Sequence, residues 1–253
     1  MVPTVNVLGV GVSAVNADSA TAEILRWMEA NETHYICVSG VHGVMECQRD
    51  PILKAIHNRA GLVLPDGMPL AWWVRGAGYK DADRVCGPEF MPHLFATLQH
   101  RKHFFYGATD QTLQSLIKNV TERYPDAKIV GSHSPPFRPM TRQEDADIIR
   151  QINDSEADIV WVGLSTPKQE RWMAAHRRRL NAPALIGVGA AFDMHAGNIS
   201  RAPSFIRRTG FEWMYRLVLE PRRLWRRYLA NNPAFVMLAA AQMARVANFP
   251  TQR

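Results

Sequence analysis

The residues best equipped for chemistry in this chain are one aspartate and a set of arginines far from it in sequence. Asp66 stands in Leu64-Pro65-Asp66-Gly67-Met68-Pro69. Pro65 fixes its own φ, and Gly67 lets the backbone approach a ligand closely. A carboxylate held between them can take a proton from an attacking hydroxyl within hydrogen-bond reach. It could equally be a turn residue that caps the next helix, and local sequence balances the two readings. The arginines are Arg201, Arg207, Arg208, Arg216, Arg222, Arg223, Arg226 and Arg227, opposed only by Glu212 and Glu220. This stretch carries most of the net charge of +7, and no lysine follows Lys168. Guanidinium forks grip phosphate in a planar, bidentate way that an ammonium cannot. Phe205, Phe211, Trp213, Tyr215, Trp225 and Tyr228 are interleaved with them, which argues against a merely solvated face. The stretch suits a diphosphate beside a membrane, anionic headgroups or single-stranded nucleic acid.

Other candidates sit just after short apolar runs. Ser39 follows Tyr35 to Val38, and Gly107 follows His103 to Tyr106. In Gly163-Leu-Ser-Thr-Pro167-Lys168-Gln169-Glu170 a small-residue loop leads into a helix. Free amides there suit an anion, and Lys168 and Gln169 can reach a phosphate or a sugar hydroxyl. Asp193, in Gly189-Ala-Ala-Phe-Asp193-Met-His195, could bind a ribose or sugar hydroxyl, or only cap. His195 reads as a structural histidine. Gly9-Val-Gly11-Val-Ser-Ala14 resembles a dinucleotide fingerprint, but the next helix cap comes only at Asp18 or Ser19. That fingerprint must open its helix directly, so a plain turn is expected. The histidines have no clustered ligand spacing, and Cys37, Cys47 and Cys86 match no metal motif; no metal site and no cofactor are expected.

These residues need a scaffold. Strands are expected at 5–8, 35–38, 62–64, 103–106, 128–131, 159–163 and 184–188. Helices are expected at 18–31, 51–59, 69–75, 88–99, 111–124, 141–153, 167–179 and 233–248, with Thr141-Arg-Gln-Glu144 as a capping box. Alternating strands and helices predict an α/β, Rossmann-like parallel sheet with helices on both faces. Ligands bind such sheets at the carboxyl ends of the strands, where the candidates lie. The rhythm stops after Gly197, which predicts a catalytic core over 1–197 and a helical, Arg-rich appendage over 198–253. No signal-peptide pattern opens the chain, and no apolar run reaches the ~20 residues of a bilayer span.

In combination, Pro65-Asp66-Gly67-Met68, Gly87-Pro88-Glu89, Pro167-Lys168-Gln169-Glu170, Gly187 to Asp193, Arg201-Ala-Pro203, Glu212-Trp213-Met-Tyr-Arg216 and Glu220-Pro221-Arg-Arg223 resemble the WecG/TagA/CpsF glycosyltransferases over nearly the whole chain. The resemblance implies an inverting, metal-independent transfer from a UDP-sugar to a sugar on a polyprenyl diphosphate, at the cytoplasmic face of the inner membrane. It implies Asp66 as the base and Gln169 in the donor pocket. The appendage would meet the anionic membrane surface and bring Arg216, Arg223 and Arg226 to the diphosphate. Many relatives carry Thr-x-Asn after the second strand where this chain has Ser39-Gly-Val-His42. Ser39 keeps the hydroxyl but the amide is missing, so the donor stays open among N-acetylmannosamine, glucose and uronic acid types. A nucleic-acid-binding protein and an NAD-dependent oxidoreductase are the alternatives, no nucleic-acid partner is expected, and a homo-oligomer is left open.

Overall fold

The structure is a computed structural model that describes residues 2–203, 206–207, 209–210 and 212–251, with the side chain of Arg223 left out. Of the arginine-aromatic stretch, Phe205, Arg208 and Phe211 thus lie outside the described residues.

The chain opens with a hairpin of β1 (Thr4–Val7) and β2 (Val10–Ser13), antiparallel with Val7 opposite Val10. Leu8 and Gly9 form its turn, both at positive φ (51° and 82°), the geometry that two-residue hairpin loops require. The Gly9-Val-Gly11 stretch is therefore a turn and an edge of hairpin rather than a nucleotide loop. Six further strands follow: β3 (His34–Ser39), β4 (Leu62–Pro65), β5 (Lys102–Gly107), β6 (Lys128–His133), β7 (Ile159–Gly163) and β8 (Ala184–Gly187). They form one sheet in the order β4-β3-β8-β7-β5-β6. The β3–β8, β8–β7, β7–β5 and β5–β6 pairings are all parallel. Helices flank the sheet, so its inner strands read as unbroken apolar runs: Ile159, Val160, Trp161 and Val162 are all fully buried. The expected α/β class is what the chain adopts.

By contacts the chain divides into two compact units. The first joins Met1–Asn16, Val38–Val85 and Arg201–Arg253. It holds the hairpin, β4, and helices α2 (Val41–Arg49), α3 (Pro51–Asn58) and α4 (Met68–Gly76). Asn58 pins the hairpin, accepting from Gly11 N–H and donating to the Gly9 carbonyl, both at 2.9 Å. The chain's last helices are numbered here α10 (Glu212–Leu219) and α11 (Pro221–Met243). They belong to this unit. Gln242 accepts from Leu8 N–H at 2.8 Å and donates to the Asn6 carbonyl at 3.0 Å. At the α2–α11 contact, Arg49 donates to the buried Asn231 Oδ1 at 2.7 Å, and the Asn231 amide meets His42 Nδ1 at 3.1 Å.

The second unit joins Ala17–Cys37 and Cys86–Ser200. It contains α1 (Ala17–Glu29), α5 (Gly87–Thr97), α6 (Asp110–Arg123), α7 (Arg142–Asp154), α8 (Lys168–His176) and α9 (Ala191–His195). Thr141 and Glu144 form the expected capping box at the start of α7. Phe95 packs edge-on against Phe105 and His103, and Trp161 Nε1 donates to His103 Nδ1 at 3.2 Å. Burial pushes His103 down to about 4, so it is neutral and can accept that bond.

Several elements differ from expectation. The last helix begins twelve residues before Pro233, at Pro221, and Pro233 lies inside it. Proline there removes only one helix bond, and packing of α11 on α2 outweighs it. Helices α2 and α9 were not expected at all. Helix α2 has 9 residues and α9 has 5, so local periodicity is too short to declare them.

Candidate functional site

In the first unit the strand tip carrying Asp66 is fixed by backbone bonds on both sides. Asp66 N–H donates to the Ser39 carbonyl, and Val85 N–H to the Pro65 carbonyl, each at 3.0 Å. A Cβ on Gly40 would lie 2.6 Å from the Asp66 carbonyl oxygen, so only glycine lets the β3 exit run this close to the aspartate. Gly67, at φ 105°, then turns the chain into α4. Asp66 thus does not cap that helix: the N-cap residue is Gly67, and no side-chain cap bond is made there. Ser39 is buried, and its Oγ has no hydrogen-bond partner among the described residues. A buried hydroxyl left open in this way costs free energy unless a ligand completes it.

The charges around Asp66 come from three places in the sequence. Burial raises its carboxyl most, Glu212 raises it further, and Arg84, Arg216 and Arg227 pull it back, leaving it at about 6. Arg84 Nη1 and Glu212 Oε2 form an ion pair at 2.8 Å, with the Arg84 side chain only 9% exposed. Arg216 lies on α10 and Arg227 on α11. Tyr228 is pushed up, mainly by burial, and Asp66 adds to that. His42 is pushed down to about 3 by burial and by Arg227 and Arg49, so it is neutral where it meets Asn231. The result is a carboxyl that exchanges its proton near neutral pH, amid guanidiniums able to stabilise a developing anion.

Of the three expected arginines, Arg216 joins this group. Arg226 is exposed, with its guanidinium 5.2 Å above the Trp225 ring. The side chain of Arg223 lies outside the described residues. Sequence reading missed Arg84 and Glu212 as a pair, and it preferred Arg226 to Arg227. The helical register of α11 decides the latter choice, because the helix begins at Pro221 rather than at Pro233. The spacing of four between Glu212 and Arg216 was the available signal, since it puts both on one helix face.

The second unit places its candidates at the ends of β5, β7 and β8. Gly107, at φ 125°, packs on β7 so tightly that a Cβ would lie 2.6 Å from the Gly163 carbonyl oxygen. Its glycine therefore already has a packing reason. Between β7 and α8, Ser165 has φ 63° and the Thr166–Pro167 bond is cis. Lys168 is exposed on the first turn of α8, whereas Gln169 and Glu170 are buried. Gln169 Nε2 donates to Glu170 Oε1 at 3.0 Å, and Thr166 Oγ1 donates to the same oxygen at 2.8 Å. Gln169 Oε1 and Glu170 Oε2 are buried without partners among the described residues. One end of the Gln169 amide is locked and the other is open, the state of a side chain ready to accept a ligand hydroxyl. The Asp193 carbonyl instead takes the N–H groups of Asn198 and Ile199 at 2.8 and 3.3 Å, and its Oδ1 faces the Asn198 amide at 3.3 Å. It organises the turn after α9. His195 meets the Pro88 carbonyl at 3.1 Å, in keeping with a structural role.

A search of known families gives the deciding observation: the model of the Glycosyl transferase WecG/TagA/CpsF family matches residues 5–248. The chain belongs to this family. As a member of it, the chain resembles proteins named N-acetylglucosaminyldiphosphoundecaprenol N-acetyl-beta-D-mannosaminyltransferase. That of Bacillus spizizenii is 29% identical over 81% of this chain and 78% of its own length. That of Bacillus subtilis is 30% identical over 68% of this chain and 66% of its own length. That of Staphylococcus aureus is 27% identical over 75% and 72%. In this WecG/TagA/CpsF member both ends of the matched span, the hairpin and α11, lie in the unit that carries Asp66.

Proposed function

We propose that this WecG/TagA/CpsF protein is an inverting glycosyltransferase. It moves a hexose or N-acetylhexosamine-type sugar from a UDP-sugar to a saccharide on a polyprenyl diphosphate, in the making of a cell-surface polysaccharide. The observation that carries the reading is Asp66: a carboxyl fixed at a strand tip, titrating at about 6, with Arg84, Arg216 and Arg227 acting on it. The acceptor hydroxyl gives its proton to Asp66 as its oxygen attacks the anomeric carbon. The bond from that carbon to the diphosphate oxygen breaks, and the leaving UDP takes the electron pair. The arginines meet the charge that develops there, work that a divalent cation would otherwise do. Ser39, Gln169 and Lys168 are donor ligands in this reading, supported by the open Ser39 Oγ and Gln169 Oε1. Asp193 is kept as a weaker sugar-hydroxyl contact.

The relatives act, by their names, on an undecaprenol-linked acceptor, which supports a membrane-borne acceptor here. Among the described residues no helix is long and apolar enough to cross a membrane. We place the protein peripherally on the cytoplasmic face of the inner membrane, held by α11. Its Trp225, Leu229, Val236 and Met243 are exposed and recur on one helical stripe, and Arg222 and Arg226 are exposed beside it.

The test is transfer from a panel of UDP-sugars to a synthetic N-acetylglucosaminyl diphosphate lipid. Asp66→Asn should lose transfer by about a hundredfold to ten-thousandfold while UDP still binds. Near-normal turnover by that variant would remove Asp66 from its role.

A further inference from the structure

Three guanidiniums acting on one carboxylate would by themselves keep it ionised and make it a poor base. Burial opposes that first, and a second opponent sits on α10. We infer that Glu212 is a positioning residue for the base: its carboxylate clamps Arg84 in a largely buried ion pair, beside the strand tip of Asp66, where Val85 N–H is bonded to the Pro65 carbonyl. The inference rests on the reading of Asp66 as general base and names the group that tunes it.

The geometry is specific. Glu212 Oε2 and Arg84 Nη1 are 2.8 Å apart, with their side chains 23% and 9% exposed. A pair this enclosed holds its geometry, because breaking it strands a charge away from water. Glu212 opens α10, where the helix dipole favours a carboxylate. Arg216 lies one turn later on the same face. One short helix therefore carries an anion and a cation whose charges act on the same aspartate. Among the described residues, the charged or titratable groups that act on Asp66 are Glu212 and Arg216 from α10, Arg227 and Tyr228 from α11, and Arg84 from the segment after α4. Glu212 is the acid in that set, and it opposes the guanidiniums twice. It neutralises Arg84 through the ion pair, and it repels the ionised form of Asp66. After burial it is the largest cause holding Asp66 at about 6. A base that titrates near the working pH is a more effective proton acceptor than one with an ordinary carboxylate value.

The experiment uses the full chain without ligand. Its aspartates are labelled with carbon-13 at the carboxyl, and Asp66→Asn identifies the Asp66 resonance. The wild-type signal should titrate with a midpoint at about 6. In Glu212→Gln the midpoint should fall by at least about half a pH unit, because a like charge has been removed. Glu212→Asp withdraws the charge by one methylene and should fall between, which also serves if the glutamine variant does not fold. Kinetically, the acid limb of kcat/KM should follow the midpoint, and the plateau should drop about ten- to a hundredfold as Arg84 loses its clamp. An unmoved or raised Asp66 midpoint in both variants overturns the inference. The titration needs no turnover. An active Asp66→Asn enzyme would therefore defeat the base reading alone, and an unmoved midpoint would defeat the Glu212 role alone.

Discussion

At the residue scale Asp66 makes two commitments about pH. As a base it must be ionised to work, so kcat/KM should fall tenfold per pH unit below a midpoint near 6 and be flat above it. Arg216→Ala removes a charge that lowers this carboxyl, so the midpoint should move up and activity at pH 6 should fall more than at pH 8. The same titration makes a statement about stability. The folded value lies above the ordinary aspartate value of 3.8, so the native state binds this proton more tightly than the unfolded chain. The contribution of this group to stability is therefore fully present below the unfolded value and is lost as pH rises through about 6. By pH 7 the loss is on the order of 3 kcal/mol. Asp66→Asn should remove that loss, so the inactive variant should be the more stable protein at pH 7 in urea unfolding. A less stable variant would mean that Asp66 makes favourable contacts as an anion.

At the scale of elements, the docking of α11 on α2 is the junction to test. Asn231 is buried and joins Arg49 on one side to His42 on the other. Asn231→Leu should cost about 1–3 kcal/mol, because Arg49 and His42 each lose a partner and His42 is left largely enclosed. Arg227 lies one turn earlier on α11, so KM for the UDP-sugar should rise as well. Thr141→Ala makes the contrast. It removes the capping box of α7 in the other unit and should cost about 1 kcal/mol with kcat and KM unchanged.

At the scale of the whole molecule, the prediction concerns the lipid surface. Leu229→Glu with Val236→Glu puts two charges on residues that are 62% and 65% exposed, so the fold should survive. Sedimentation with vesicles of anionic phospholipid should then fall at least tenfold, and transfer to a water-soluble acceptor should persist. Equal vesicle binding by the double variant would put the membrane contact elsewhere.

The sequence by itself determined much of this. Apolar runs alternating with amphipathic stretches specify a parallel α/β sheet, because only strands covered on both faces are apolar throughout. Pro65-Asp66-Gly67 declared the strand tip, and the motifs from Pro65 to Arg223 declared the family. Tertiary structure alone decided which charges meet that tip. Arg84, Glu212 and Arg227 are separated from Asp66 by between 18 and 161 positions, and no local period links them. Their pairing depends on where α10 and α11 begin, and that is set by packing within the first unit. Whether Asp66 is a cap or a base was undecidable from its neighbours for the same reason. Burial and distant charge set a carboxyl's proton affinity, and neither is a property of adjacent residues.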